Sequence, residues 1–293
     1  MADLGAMPQL KKVTHNFVLC RLLDDAAPAS TVSPFDVFND ATWDTIAANL
    51  AIYAQAARAT GMFDGVIFDT EYYGNGPNPW DYDSIPAPWV YTVSRPWSLS
   101  TAAQAKSQQR GKQTMDALRT AWPDIVAFHF RGAELSDPAT TLPNNMMGND
   151  VAWANELAGP FFLGGVESAV GTSATIVNGG ESYSQRTLVD FQNAYSWLKT
   201  RLADSGGPII PFGNVSAASY KSTVSVASQV FDRDMNNNYA PLSATEVSRL
   251  LALAKQTTDR YVWFYTEQFD WKGTGWPLVR VDNLFLNAVR DAR

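Results

Sequence analysis

The sequence predicts an α/β protein built as a (β/α)8 TIM-type barrel, incomplete or irregular at the N-terminus. Apolar runs with a two-residue alternation are separated by segments of helical periodicity, and such repeated strand–helix units form parallel sheets with covered faces. Polar residues end most of these runs, as at the catalytic end of a barrel. The 293 residues contain no Pro/Gly/Ser-rich linker and no repeat, so one catalytic barrel domain over residues 1–293 is expected.

Six runs have the composition of buried strands. They cover residues 16–22, 64–71, 124–131, 174–181, 208–214 and 261–267. Two weaker candidates, residues 229–232 and 161–166, would complete an eight-stranded barrel, although the second is equally compatible with a helix. A doubly wound open sheet is the alternative architecture, but no strand is followed by a Gly-rich phosphate-binding motif.

Helical segments lie between these strands. Residues 42–60 place Trp43, Leu50 and Ala57 on one face, and Gly61 follows as a stop signal. A capping box of Ser243 and Glu246 opens another helix. This second helix covers residues 243–255, and the remaining helical patterns cover residues 101–121, 189–202 and about 281–293.

Composition excludes several classes of partner. The net charge of -7 and the scattered basic residues argue against nucleic acid and anionic membranes as partners. No apolar run approaches the ~20 residues needed to span a bilayer, so membrane insertion is not expected. The first residues include Asp3 and no long apolar core, so they are not expected to form a signal peptide. A cytoplasmic protein, or a trimmed secreted or virion-associated chain, fits this pattern.

Few residues are suited to bind a transition metal. The single cysteine, Cys20, excludes an internal disulfide framework and lies in an apolar strand pattern, where we expect a buried hydrophobe. The two histidines are His15 and His129, so the composition predicts no His-rich or Cys-based zinc site. No cofactor and no metal site are therefore expected.

The most informative segment is an apolar strand that ends in Asp69 and Glu71. Strand side chains alternate between faces, so Ile67, Asp69 and Glu71 share one face, and Val66 and Phe68 share the other. In this interpretation Asp69 and Glu71 lie at the carboxyl end of a barrel strand, where barrel enzymes keep their catalytic residues.

The same alternation assigns a polar residue to the end of each of the other five strands. These residues are Arg21, Arg131, Glu181, Asn214 and Glu267. Strands often become polar simply where they leave the core, and this would explain one or two such ends. It explains less well three glutamates that have aromatic residues on the same face of their strands. We therefore expect these residues and Glu71 to gather at one barrel mouth. For His129, in phase with Arg131, a core role and a substrate contact both stay open.

Carboxylates at a barrel mouth suit glycosidic bond hydrolysis, in which one acid protonates the leaving oxygen and a second carboxylate attacks, stabilises or activates water. An apolar wall raises the pKa of one carboxyl, and a nearby Arg keeps the other ionised. The candidate catalytic residues are Glu71, Glu267, Asp69 and Glu181. The candidate substrate-binding residues are Arg21, Tyr72, Tyr73, Trp80, His129, Arg131, Asn214, Trp263, Tyr265 and Trp271.

Two segments resemble glycoside hydrolases. Residues 63–72, Phe-Asp-Gly-Val-Ile-Phe-Asp-Thr-Glu-Tyr, resemble the strand motif of family 18 glycoside hydrolases, which are chitinase-like barrels. The resemblance implies that Glu71 is the general acid and that Asp69 orients it or stabilises a substrate acetamido group. Ile67 stands at the first acidic position of that motif and Thr70 at its usual Trp, and the motif comes early, at the second strand.

Residues 261–267 are similar to a late barrel strand of retaining glycosidases that ends in a nucleophilic Glu, here Glu267. As a whole the chain resembles a divergent glycoside hydrolase barrel that acts on an oligo- or polysaccharide, with Glu71 and Glu267 as the catalytic pair and Glu181 in reserve. Two alternatives stay open. One is a non-catalytic carbohydrate-binding barrel of a larger surface or virion assembly, and the other is a metal-dependent barrel isomerase or lyase.

Overall fold

The structure is a computed structural model, and its described residues form an α/β fold of two compact units. The described ranges are residues 16–21, 37–69, 97–130, 157–180, 185–204, 217–227, 229–230, 240–265, 269–270, 279–280 and 287. The first unit comprises Met1–Ala139, Trp153–Asn178 and Thr200–Lys221. The second comprises Thr140–Ala152, Gly179–Lys199 and Ser222–Arg293.

The first unit is built on a five-stranded sheet in the order β1-β2-β3-β4-β5, in which β1 to β4 pair in parallel. The strands are β1 (Phe17–Arg21), β2 (Gly65–Asp69), β3 (Val126–His129), β4 (Thr175–Asn178) and β5 (Lys221–Ser222). The helices that alternate with them are α1 (Asp40–Ala59), α2 (Trp97–Ala121) and α3 (Ala158–Ala169). This strand–helix order confirms the predicted α/β class with a parallel sheet.

One face of this sheet packs against the helices. Val66 and Phe68 from β2 join Ile176 from β4 in a buried cluster with Leu118 of α2 and Phe162 of α3. The alternation predicted for the second strand is therefore confirmed, because Val66 and Phe68 point together into this core. Gly65, Ile67 and Asp69 consequently lie on the opposite face of β2.

Helices α2 and α3 cross at a contact made by glycines. A Cβ atom at Gly164 would lie 1.8 Å from the Gln108 carbonyl oxygen, and one at Gly111 would lie 1.7 Å from that of Phe161. Beside this crossing, the Ser168 hydroxyl donates to Asp116 at 2.6 Å. The two backbones approach so closely that only glycine fits at either position, which explains how a short buried helix can lie flat against a longer one.

Helix α1 is fixed at both ends. The Asn39 side chain accepts from the Thr42 amide at 3.1 Å and caps the first turn, and Gly61 at φ +64° follows the last. Asp40 in the first turn pairs with Lys106 at 2.8 Å and with Arg110, both from α2. These contacts hold the amino end of α1 against α2.

The second unit contains short strands and two helices. The strand pairs are β6 (Ser225–Ala227) with β9 (Trp263–Tyr265) in parallel, β7 (Gln229–Val230) with β8 (Ala240–Pro241) antiparallel, and β10 (Phe269–Asp270) with β11 (Val279–Arg280) in parallel. The helices are α4 (Leu188–Asp204), of which residues up to Lys199 belong to this unit, and α5 (Ala244–Lys255). Their core is formed by Phe191 of α4, Val226 of β6 and Leu250 of α5, with Val262 and Phe264 packed against it.

Some predicted elements differ from the observed ones. Residues 161–166 are helical as part of α3, because Gly164 and the surrounding apolar residues let this segment bury itself on nearly all sides. Residues 229–230 form β7, but its pairing is antiparallel and outside the five-stranded sheet. The predicted strand 208–214 and most of the predicted helix 281–293 lie outside the described residues.

Among the described residues, no helix combines the length and apolar character that crossing a bilayer requires.

Candidate functional site

Asp69 is a buried carboxylate at the carboxyl end of β2. It is the last residue of the strand, is 6% exposed, and lies on the face opposite the helix-packed core. Its register partner in β1 is Arg21, so an acidic and a basic residue occupy paired positions at the same end of two adjacent strands. Such a charged pair of positions at a parallel strand end is typical of a functional site in an α/β protein.

His129 lies on the other face of the sheet. It is the register partner of Phe68, and its ring lies 5.2 Å from that of Phe162 and 6.1 Å from that of Phe161, both in α3. Complete burial lowers the pKa of His129 to about 3, so the imidazole is neutral near pH 7. Of the two roles left open for His129, the core role is the one that agrees with this position, and the substrate contact expected from its phase with Arg131 does not, because paired positions put it beside Phe68 and not beside Asp69.

Asn178, the last residue of β4, was missed by the sequence analysis. It is fully buried and is the register partner of His129. In the described structure neither polar atom of its amide has a hydrogen-bond partner, and the same holds for His129 Nδ1. A signal was present, since an Asn followed by two glycines ends an otherwise apolar strand.

The chain directly after β4 is held by a tryptophan of the second unit. Trp263 Nε1–H donates to the Gly179 carbonyl oxygen at 2.8 Å. Because Val262 and Phe264 pack into the core of that unit, Trp263 lies on the opposite face of β9, as predicted. Gly180 is buried at φ +57°, a left-handed conformation that suits glycine.

The turn that leads into β9 is held by a polar network. Asp259 accepts from Tyr195 Oη at 2.7 Å, from Lys199 Nζ at 2.8 Å and from the Ser222 amide at 2.8 Å. Burial alone would raise the pKa of Asp259, but these three donors outweigh it and lower the pKa below its usual value. The network therefore anchors the amino end of the strand whose sequence continues to Glu267.

Most of the other predicted site residues lie outside the part of the chain that the structure describes. Those that lie outside the described residues are Glu71, Tyr72, Tyr73, Trp80, Arg131, Glu181, Asn214, Glu267 and Trp271. Of Arg21 and Tyr265 the structure describes the strand positions, at the ends of β1 and β9. Asp69 and Trp263 are the predicted site residues that lie, in the described structure, on strand faces turned away from the packed cores.

A groove of about 560 Å³ is lined by Asp40, Asp44, Lys106, Gln109, Arg110, Lys112, Gln113 and Asp116. Its aspartates are engaged by neighbouring lysine, arginine and glutamine side chains, which indicates a structural role. Within the described ranges no group of three or more His, Cys, Asp or Glu side chains is arranged to hold a metal ion.

Comparison with known proteins gave two structural likenesses. An agarase, AgWH50C, superposes with a TM-score of 0.48 at 11% identity over 94% of this chain. A GH18 chitinase from Pseudoalteromonas aurantia superposes with a TM-score of 0.32 at 12% identity over 78% of this chain. The matched regions span 42% of the agarase chain and 65% of the chitinase chain. No protein-family model matches the sequence, and no curated protein matches it.

Proposed function

We propose that this chain is a glycoside hydrolase that cleaves an oligo- or polysaccharide with a pair of carboxylates, Glu71 and Glu267. The observation that carries the proposal is Asp69, a carboxylate buried at a parallel strand end, away from the helices and in register with Arg21. Burying a carboxylate is costly, and such groups concentrate at functional sites. Glu71 follows two residues later in the same alternation.

In the proposed reaction one glutamic acid donates its proton to the glycosidic oxygen as the bond to the anomeric carbon breaks. The other carboxylate either bonds to that carbon, to be displaced by water, or removes a proton from the attacking water. Asp69 would orient Glu71, and Arg21 would favour the ionised state of a neighbouring carboxylate. A separation of about 5 Å between the two reacting carboxyl groups would give retention, and a wider gap would give inversion.

The wider architecture belongs to the same proposal. We propose that residues 1–293 form one barrel domain, with Glu181 as a third carboxylate and with aromatic residues that include Trp80 and Trp271 lining the sugar subsites. The observed order of parallel strands and intervening helices supports the proposed barrel. Aromatic rings give sugar rings flat apolar faces to stack on, which is why tryptophans suit this role.

The test is hydrolysis of a panel of labelled oligosaccharides by the wild type, Glu71→Gln and Glu267→Gln. Removal of a general acid or base is expected to lower kcat about 10²- to 10⁴-fold. Asp64→Asn is the matched control, because it also replaces an acid by an amide but lies just before β2, at the opposite end from Asp69. Full activity in both glutamine variants would eliminate this pair.

A further inference from the structure

We infer that Trp263 is a positioning residue of the proposed hydrolase. Its indole N–H holds the backbone at Gly179, two residues before Glu181. This inference rests on the proposed function for its catalytic consequence. It assigns Trp263 a different role from the substrate contact that the sequence suggests, and it gives a structural reason for turnover to depend on Glu181.

The first step is the bond itself. Trp263 Nε1–H donates to the Gly179 carbonyl oxygen at 2.8 Å, and the two residues are 84 positions apart in the chain. An indole has a single N–H donor, so this donor is committed to the protein backbone and does not serve a sugar hydroxyl. The partly buried position of the bond makes it stronger than a solvent-exposed one.

The second step is the next residue. Gly180 is at φ +57°, and a Cβ atom there would lie 2.2 Å from Leu198 Cδ1 and 2.8 Å from the Thr223 carbonyl oxygen. The segment is therefore confined on one side by Trp263 and on the other by α4 and the backbone at Thr223. Gly180 is therefore held by packing although glycine is a flexible residue, so this segment is not a freely exposed turn.

The third step closes the arrangement. The Thr223 hydroxyl donates to the Tyr261 carbonyl oxygen, two residues before Trp263. The stretch from Tyr261 to Trp263 thus holds Gly179 directly and limits Gly180 through Thr223. Glu181 follows Gly180 immediately, and Glu267 comes four residues after Trp263. The same contacts consequently hold Gly179 and Gly180, which directly precede Glu181 in the chain.

The expected effect concerns turnover more than binding. Loss of the N–H bond would let residues 179–180 shift, and a misplacement of about 1 Å at a reacting group can lower the rate about 10²-fold. Trp263→Phe, which keeps an aromatic ring, should therefore lower kcat about 10- to 100-fold with KM changed less than about twofold. If Trp263 only contacted the substrate, Trp263→Phe would show the reverse, a raised KM with little change in kcat.

The experiment combines steady-state kinetics with hydrogen exchange measured by mass spectrometry on residues 179–187. Three proteins are compared with the wild type: Trp263→Phe, a protein with benzothienylalanine at position 263, which keeps the ring shape but lacks the N–H, and Ser243→Ala. Ser243→Ala removes a 3.2 Å hydrogen bond at the start of α5 in the same unit and should leave kcat unchanged. Both changes at position 263 should raise exchange at residues 179–187 and lower kcat.

Several results would overturn the inference. Unchanged exchange at residues 179–187 in both position-263 proteins would show that the indole N–H does not hold the segment. Full activity of Glu181→Gln would show that Trp263 does not act through Glu181, even if hydrolysis by Glu71 and Glu267 stands. A wild type that hydrolyses no glycan would refute the proposed function instead, and exchange would still decide the positioning role.

Discussion

Replacing Gly164 by alanine tests the geometry on which the first unit depends. The added Cβ would lie 1.8 Å from the Gln108 carbonyl oxygen of α2, whereas ordinary contact begins at 3.4 Å. The obstructing atom is backbone, so it cannot rotate away, and α2 and α3 must separate. Such overpacking costs about 3 kcal/mol or more, and the better helix propensity of alanine returns about 1 kcal/mol. We therefore expect a net loss of about 2–3 kcal/mol in the free energy of unfolding.

The neighbouring glycine supplies a matched control. A Cβ at Gly165 would lie 3.3 Å from Ile176 Cδ1, the far end of a flexible side chain. Gly165→Ala should consequently change the free energy of unfolding by less than about 1 kcal/mol, because the propensity gain offsets a small adjustment. Urea titration monitored by circular dichroism gives both values, provided that the slope m is unchanged. Equal stability of the two variants would refute the close helix crossing.

Three further changes test other parts of the structure. Burial lowers the pKa of His129 to about 3, so as pH falls the unfolded chain takes up a proton at His129 before the folded chain does. Urea titrations from pH 6 to 4 should therefore show the free energy of unfolding of the wild type falling about 1.4 kcal/mol per pH unit more steeply than that of His129→Gln. The same pH dependence of stability in both proteins would contradict this. Asp259 has a lowered pKa, so its contribution is present above the unfolded value and is lost as pH falls through the folded value. Asp259→Asn should lower stability about 1 kcal/mol at pH 7, with the difference from wild type vanishing in acid, and a difference that persists at pH 2 would count against the network. Gly180→Ala should destabilise more than Gly61→Ala, since both have positive φ but only Gly180 meets neighbouring atoms; in thermal unfolding, an equal shift of the two midpoints would be the contrary result.

The strands of the first unit could be predicted because their pattern is strict. Val66 and Phe68 alternate with Ile67 and Asp69, and the observed packing of the first pair into the helices follows from that alternation. Helix α1 was equally clear, since Trp43 and Gly61 supply an apolar face and a stop, although its cap at Asn39 was not predicted. In these segments local propensity and tertiary packing favour the same structure.

Helix α3 shows where sequence reasoning fails. Its residues are apolar except Glu167 and Ser168 and include two adjacent glycines, so neither a period of 3.6 nor one of 2 stands out. The glycines lower helix propensity, yet Gly164 is what allows the close approach to α2. Only the tertiary contact, which a single sequence does not display, decides between helix and strand.

The candidate site was predicted unevenly for a related reason. Alternation shows which residues of one strand share a face. It does not show which residues of the neighbouring strand lie on that same face of the sheet. The face of His129 therefore followed only from its register with Phe68. In the same way, alternation did not show that Gly180, directly before Glu181, is buried against Leu198 and Thr223.

The most direct test of the proposed function is proton NMR of the anomeric region while the wild-type chain acts on a panel of defined oligosaccharides. The account predicts that a new reducing-end signal appears with at least one of them and that Glu71→Gln lowers its rate of appearance about 10²- to 10⁴-fold. The anomer formed first would also give retention or inversion. Absence of any new anomeric signal with every glycan, or an undiminished rate in Glu71→Gln, would contradict it.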